Sequence, residues 1–212
     1  VQQEFTVGIF GRILAHTLHI PVVYTYHTLY EDYTHYVNFF DLESVEKISK
    51  KAVYSISRML CNSVSGIIAP SEKTREKLVG YGVKKPIYVI PTGLDLDSFR
   101  HENVAEAKRQ EIRERYGLDD STRVIIYLGR IAAEKSIDKI ISGVRYIQTS
   151  NCKVMIVGGG PSLDDLKKQA EKEGVSDRVI FTGAVPPEEV PAYYQISEAF
   201  VSASTSETQG MT

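Results

Sequence analysis

A pair of basic residues follows an apolar run that is typical of a buried strand. Arg130 and Lys135 lie in the segment GRIAAEKS, residues 129–136, which leads into an amphipathic helix. Two cations beside the unpaired N–H groups and positive dipole end of a helix suit a pyrophosphate. A pair of solvated surface charges explains the same residues, and spacing alone supports the two interpretations about equally.

Three consecutive glycines, Gly158, Gly159 and Gly160, follow the next apolar run. Glycine allows the backbone to approach a ligand closely, because it carries no side chain. The segment lacks the dinucleotide-binding pattern G-x-G-x-x-G, because Leu163 stands where the last glycine is required. A tight turn without a ligand remains the alternative explanation.

Two further polar residues follow predicted strands. Glu207 lies among hydroxyl residues in the segment STSETQG, where its carboxylate is suited either to binding a polyol or to capping the next helix. His27 follows the run PVVYT, and a histidine there can act as a hydrogen-bond donor or as an acid or base near neutral pH. A lone histidine is more often structural.

The runs that position these residues are short and almost continuously apolar, which is typical of parallel sheets covered on both faces. Amphipathic helices are predicted between them, so the chain is predicted to be α/β with doubly wound sheets. The predicted strands are Pro21–Thr25, Gly66–Ala69, Ile87–Ile90, Arg123–Leu128, Lys153–Val157, Arg178–Phe181 and Glu198–Ala203.

The predicted helices rest on apolar periodicity and capping residues. A long helix over residues 42–64 would bury a stripe that includes Ala52, Ile56 and Met59. Ser71 is predicted to cap the following helix, and Ser162 to form a capping box with Asp165.

The segment IPTGLDLDSF, with its Pro and Gly, predicts a boundary between two domains, residues 1–93 and 94–212. The first domain shows only three strands, fewer than a complete Rossmann-like domain requires. The chain opens on Val1 and stops at Thr212 within a predicted loop. We therefore expect both domains to be incomplete, the first at its N-terminal half and the second at its C-terminus.

Composition excludes several classes of protein. A net charge of -2 gives no reason to expect a nucleic-acid partner. The two cysteines, Cys61 and Cys152, fit a reducing cytoplasm without a disulfide framework or metal-ligand spacing. No apolar run is long enough to span a bilayer, and no signal peptide opens the chain, so membrane contact is expected to be peripheral.

Taken together, these motifs resemble family-4 retaining glycosyltransferases of the GT-B fold. The resemblance is carried by GRIAAEKS, GGGP, TGAVP, STSETQG and the IPTGLDLDSF linker. The segment HTLYEDYTHY, residues 27–36, is more narrowly similar to bacterial 1,2-diacylglycerol 3-glucosyltransferases. The resemblance implies two Rossmann-like domains and transfer of glucose from UDP-glucose to diacylglycerol with retention of configuration. It further implies a cytoplasmic enzyme at the inner face of the membrane that needs no metal or other cofactor.

The resemblance also implies roles for individual residues. Arg130 and Lys135 would hold the donor phosphates, His27 would reach the transferred sugar, and Glu207 would contact the donor sugar near its reacting centre. The other donor-side residues would be Gly129, Gly159, Gly160 and the backbone of Ala184 and Val185. The acceptor side would include Tyr30, Glu31, Asp32 and His35.

Three alternatives remain open at this point. A family-4 transferase with a soluble or cell-wall acceptor would have the same donor half, and a non-catalytic fragment would retain the same motifs. A nicotinamide-dependent dehydrogenase is disfavoured by the incomplete glycine pattern. For the lipid acceptor, the best candidate for a membrane contact is the long helix, which carries Lys47, Lys50, Lys51 and Arg58 outside its apolar stripe. Solvation of an ordinary surface helix explains the same charges at least as well.

Overall fold

The computed structural model describes residues 7–28, 43–204, 207, 209 and 210, with side chains from residue 51 onward in the second of these ranges. It divides into two compact units. The described residues up to Gly93, together with residues 207, 209 and 210, form the first unit, and the second begins at Leu94. Each unit has its own parallel sheet.

The first unit contains a three-stranded parallel sheet in the order β1-β2-β3. Its strands are β1 (Val23–Thr25), β2 (Gly66–Ala69) and β3 (Ile87–Val89), and its helices are α1 (Val7–Thr17), α2 (Glu43–Asn62) and α3 (Glu72–Gly80). The core consists of strand residues such as Tyr24 and Ile67 packed against Leu78 of α3 and Cys61 of α2. The three predicted strands of this unit are confirmed, the first beginning two residues later than expected.

The face that α2 buries differs from the predicted apolar stripe. Ile56 and Met59, which periodicity assigned to the core, are 43% and 64% exposed, and the residues buried at helical spacing are Ser57 and Cys61. The Ser57 hydroxyl is 3.0 Å from the buried phenol oxygen of Tyr26. Because this hydrogen bond satisfies both polar groups, serine can occupy the core position, and the helix is rotated accordingly.

The cap of α3 is confirmed. The Ser71 hydroxyl accepts from the backbone N–H of Thr74 at 3.3 Å, which satisfies one of the open N–H groups of the first turn. The helix ends before Gly82, whose φ of 83° lies in the left-handed region that favours glycine.

The second unit contains a four-stranded parallel sheet in the order β6-β5-β4-β7. Its strands are β4 (Arg123–Leu128), β5 (Cys152–Val157), β6 (Val179–Gly183) and β7 (Ala199–Phe200), and its helices are α4 (Glu106–Arg115), α5 (Ile137–Val144), α6 (Leu163–Lys172) and α7 (Val190–Gln195). One core cluster joins the sheet to α5 and α6, and a second joins it to α4 and α7. The sheet is therefore covered on both faces, as the continuous apolar runs predict.

Two local predictions differ from the structure, and two helices were not predicted. The last predicted strand, over residues 198–203, is reduced to Ala199–Phe200. Helices α1 and α7 were not predicted, and α7 is a six-residue helix with Pro191 in its first turn. The capping box of Ser162 with Asp165 is wrong, since the Ser162 backbone is not extended (φ -90°, ψ 1°) and its side chain makes no cap bond. Its backbone N–H donates to Ile131 O instead.

Asp119 organises the turn between α4 and β4. Its carboxylate accepts hydrogen bonds from the Ser121 and Thr122 hydroxyls at 2.7 and 2.8 Å and from the Asn151 amide at 3.3 Å. These donors, Ser121 first, lower the pKa of Asp119 to about 2. In the unfolded chain the pKa of an aspartate is about 3.9. The carboxylate therefore stabilises the fold above about pH 4, and this stabilisation is lost as the pH falls through about 2.

We accordingly expect Asp119→Asn to lower the melting temperature at pH 7, because the neutral amide oxygen accepts the same bonds more weakly. The difference from the parent should shrink between pH 4 and pH 2. Thermal melts at several pH values measure this, with the exposed neighbour Asp120→Asn as the control. A deficit that stays constant down to pH 2 would contradict the assignment.

Candidate functional site

The loops after β4, β5 and β6 meet at one edge of the second sheet. These strands are parallel neighbours, so their carboxyl ends lie side by side, where open α/β sheets bind ligands. Backbone hydrogen bonds join the loops: Ile131 N–H donates to Gly159 O at 2.9 Å, and Gly158 N–H donates to Gly183 O at 2.9 Å. The candidate donor site therefore rests on three loops held together by their backbones.

Loop packing explains two of the three consecutive glycines. A Cβ at Gly158 would lie 1.9 Å from Gly129 O, and one at Gly160 would lie 2.1 Å from Ile131 O. Gly159 differs, because among the described residues its Cβ would meet Ala184 atoms alone, at 3.7 Å or more, which is ordinary contact. The tight-turn explanation thus accounts for Gly158 and Gly160, while protein packing does not require glycine at position 159.

Arg130 is anchored at its backbone and at its guanidinium. The Tyr127 hydroxyl donates to Arg130 O at 3.0 Å, and Arg130 Nη2 donates to Glu134 Oε1. The Arg130 side chain is 55% exposed, whereas that of Glu134 is 1% exposed. Sequence analysis did not single out Glu134, although its spacing of four residues from Arg130 is the usual spacing of a local ion pair.

Lys135 ends a short 3₁₀ turn, Ala133–Lys135, that leads into α5. Ser136 joins the turn to the helix with φ 50° and ψ 38°, a left-handed conformation uncommon for serine. The helix begins at Ile137, so Lys135 lies at its N-terminal end, as predicted. Arg130 and Lys135 thus belong to one loop beside a helix N-terminus, an arrangement suited to an anion.

Ala184 and Val185 follow β6 at the same edge of the sheet. Ala184 is the residue nearest to the open side of Gly159, and Val185 packs against the core cluster formed with α4 and α7. Because the Val185 side chain contributes to that core, its backbone is the part suited to meeting a nucleotide base.

A cleft of about 390 Å³ lies beside the basic loop, between the starts of α5 and α6. Its charged lining residues are Asp138 and Asp165, both carboxylates. Two carboxylates repel an anion, so this cleft does not suit the donor phosphates.

The structure places His27 and Glu207 in the first unit. His27 is exposed and follows β1, after Tyr26, whose N–H donates to Ile68 O at 2.9 Å. The Glu207 carbonyl accepts from Lys73 Nζ at 2.9 Å. The Gln209 side-chain amide makes two hydrogen bonds to the backbone of Thr92. Its Oε1 accepts from Thr92 N–H at 3.1 Å, and its Nε2 donates to Thr92 O at 3.2 Å. These contacts group residues 207 and 209 with the first unit, whereas the sequence assigned them to the second domain.

The predicted site residues therefore fall into three groups. One edge of the second sheet brings together the donor-side residues Gly129, Arg130, Lys135, Gly159, Gly160, Ala184 and Val185. His27 and Glu207 lie in the first unit. The predicted acceptor-side residues Tyr30, Glu31, Asp32 and His35 lie outside the described residues.

Two kinds of feature were not found within the part of the chain that the structure describes. Three or more His, Cys, Asp or Glu side chains do not gather there into a group that could hold a metal ion. The helices described there are also too short or too polar to cross a membrane.

Two family models match the chain, one for each of its halves. The model described as "Glycosyltransferase Family 4" matches residues 1–98, and the model described as "Glycosyl transferases group 1" matches residues 108–212. Together they account for nearly the whole sequence.

Two curated relatives align with the full length of the chain. It is 39% identical over 213 residues to the alpha-monoglucosyldiacylglycerol synthase of Streptococcus pneumoniae, an alignment that covers 100% of this chain and 47% of the relative. It is 32% identical over 214 residues to the synthase of the same name from Acholeplasma laidlawii, covering 100% of this chain and 54% of the relative. The chain thus spans about half the length of these relatives.

A solved structure shares the arrangement of elements. The Anabaena protein HepE, crystallised in complex with UDP and glucose, matches with a TM-score of 0.75 at 18% identity. The match covers 96% of this chain and 52% of that chain. At this identity the likeness establishes the fold.

Proposed function

Because the chain belongs to the family-4 glycosyltransferases of the GT-B fold, we propose that the protein transfers glucose from UDP-glucose to 1,2-diacylglycerol with retention of configuration. The predicted family and fold are confirmed by the two family models and by the likeness to solved structures. Membership in this family also removes the dehydrogenase alternative.

The donor half of the proposal is supported by the edge of the second sheet. Arg130 offers a planar guanidinium whose N–H groups match phosphate oxygens, and Lys135 adds a second positive charge in the same loop. Negative charge develops on the departing UDP as the glycosidic bond breaks, and fixed cations stabilise it. A structure of HepE in complex with UDP-glucose supports UDP-glucose as the donor.

The acceptor half is supported by one observation, the alignment of the whole chain with two enzymes named alpha-monoglucosyldiacylglycerol synthase. In this proposal His27 reaches the transferred sugar, and its exposure after β1 leaves it accessible to a substrate. Glu207 contacts the donor sugar near the reacting carbon. The basic loop takes the role that a metal ion has in other transferases, so the proposed reaction needs no metal.

The direct test offers the full-length protein UDP-glucose with anionic phospholipid vesicles that contain 1,2-diacylglycerol, or with soluble sugars. UDP release and the anomeric proton of the product, observed by NMR, report acceptor and stereochemistry. We expect release only with the lipid acceptor and an α-linked product. Faster release with a soluble sugar would assign the protein to another acceptor, and a β-linked product would contradict retention.

A diacylglycerol acceptor requires the enzyme to come to the membrane, since each CH₂ group withdrawn from the bilayer costs about 0.8 kcal/mol. We therefore propose peripheral association with the inner face of the cell membrane. The described surface of α2 supports it, because Lys51 and Arg58, seven residues apart, are exposed on one side of the helix, and Ile56 and Met59, three residues apart, are exposed as well. Apolar and basic groups together suit an anionic bilayer.

Replacement of Lys47, Lys50, Lys51 and Arg58 by Gln should weaken binding to anionic vesicles. Each basic residue near the bilayer contributes about 1 kcal/mol, a contribution that salt screens. Co-sedimentation of the full-length protein at low and high salt measures it. Substitution of Lys167 and Lys168, which are exposed on α6, is the matched control. Undiminished, salt-insensitive binding of the quadruple variant would place the membrane contact elsewhere.

A further inference from the structure

The loop that carries the two cations also contains a buried carboxylate. Among the charged residues whose side chains the structure describes, Glu134 is the one that is buried. Burying a carboxylate is costly unless it is paired and hydrogen-bonded. The guanidinium of Arg130 pairs with it, while the Arg130 side chain itself remains more than half exposed.

The loop backbone is held by other bonds. Lys135 N–H donates to Ala132 O at 3.0 Å, and Ser136 N–H donates to Ala133 O at 3.0 Å. Ile131 N–H is bonded to the neighbouring glycine loop, and the Ile131 side chain is completely buried. These contacts hold the backbone of the turn without the help of the Arg130–Glu134 ion pair, so a role for that ion pair in ordering the Arg130 side chain can be tested separately.

Arg130 is thereby held at both ends. Its carbonyl accepts from the Tyr127 hydroxyl, and its Nη2 donates to Glu134. A long arginine side chain loses rotamer freedom when it is ordered. In this loop that ordering takes place on folding, before any ligand binds, which is how a preorganised site gains affinity and rate.

We propose that Glu134 is a positioning residue that holds the Arg130 guanidinium in place for a pyrophosphate ligand. This inference rests on the proposed function, in which that ligand is the diphosphate of UDP-glucose. Glu134 is buried and negatively charged, so it acts on the ligand through Arg130 and not by contact. The exposed part of the guanidinium is the part that a phosphate can reach.

The test is a double-mutant cycle on the full-length protein with UDP-glucose as donor. Glu134→Gln keeps the side-chain shape and removes the charge that holds the guanidinium. We expect kcat/KM to fall on the order of tenfold, which is within the loss on the order of a hundredfold that a misplacement of about 1 Å can cause. In an Arg130→Ala background the same substitution should change kcat/KM by less than about twofold, because its effect passes through Arg130.

Two controls separate positioning from loss of stability. Glu173→Gln alters a partly buried carboxylate that accepts from the Ser142 hydroxyl and the Gln169 amide, away from the basic loop, and should leave kcat/KM unchanged. UDP titration by calorimetry, below the melting temperature of each variant, gives a binding readout. If Glu134→Gln does not fold, Glu134→Asp takes its place, since it retains the charge but withdraws it by one methylene group. It should lower kcat/KM by less than Arg130→Ala does.

The outcomes distinguish this inference from the proposed function. Failure of the parent to use UDP-glucose would overturn the proposed donor, and a parental kcat/KM in Arg130→Ala would overturn the assignment of Arg130 to the donor phosphates. If Arg130→Ala is impaired but Glu134→Gln is parental, the positioning role alone is overturned. Equal losses from Glu134→Gln with and without Arg130 would also overturn it, because the effect would then not pass through the guanidinium.

Discussion

Replacement of Arg130 or Lys135 by Ala in the full-length protein will lower kcat/KM for UDP-glucose by roughly tenfold to a hundredfold. Each side chain lies in the loop beside the N-terminus of α5, where in our proposal a phosphate would meet two cations and the N–H groups of the first helical turn. The loss of a charge-assisted hydrogen bond costs about 1.5–3 kcal/mol. Because the charge on UDP grows as the sugar departs, most of that cost should appear in the transition state.

Initial rates of UDP release at donor concentrations well below KM measure this effect. Arg145→Ala is the matched control, since Arg145 caps the opposite end of α5 and lies over the ring of Tyr146. It should leave kcat/KM at the parental value. Parental kcat/KM in both loop variants would show that the phosphates bind elsewhere. The family assignment would not change, because it rests on the whole chain and not on these two residues.

The parts of the fold that the sequence predicts well are those with a single physical cause. The strands of the second unit are continuous apolar runs because both faces of the sheet are covered, so β4 was predicted with its observed bounds. The position of Arg130 then follows from topology, because loops after neighbouring parallel strands share one edge.

The parts that the sequence does not predict depend on tertiary partners. Periodicity placed Ile56 and Met59 of α2 inside, but the buried position is Ser57, because the Tyr26 hydroxyl satisfies it. Glu134 looks like a solvated charge in the sequence, and only the fold shows that it is buried against Arg130. In both cases a polar residue enters the interior because one specific partner is present, and hydrophobic patterns carry no information about such partners.

The glycines illustrate the same limit, since sequence alone does not distinguish room for a ligand from room for another loop. At Gly158 a Cβ would collide with Gly129 O, so the glycine serves loop packing. At Gly159 the protein leaves space, and glycine there has no structural necessity. The two positions therefore make a matched pair of substitutions that separates the two causes.

Gly158→Ala should lower the free energy of unfolding of the second unit by roughly 2–5 kcal/mol. The Gly158 φ of 140° disfavours alanine. The added Cβ would lie 1.9 Å from Gly129 O, which would force the loops apart and break backbone hydrogen bonds such as that from Gly158 N–H to Gly183 O. Gly159→Ala should change that free energy by less than about 1 kcal/mol, because its nearest contact is ordinary. Urea unfolding of the full-length protein measures both.

Gly159→Ala should nevertheless raise the Kd for UDP about tenfold if the donor lies against the open side of this glycine. That change corresponds to a loss of roughly 1.4 kcal/mol in binding free energy. Calorimetric titration with UDP measures it, and the unfolding data exclude a general loss of structure. Because the added methyl group would meet no atom of the described residues closer than 3.7 Å, a weakened affinity in a stable variant would point to contact with the ligand. Unchanged UDP affinity would move the donor away from Gly159 and leave Arg130 and Lys135 to define the site.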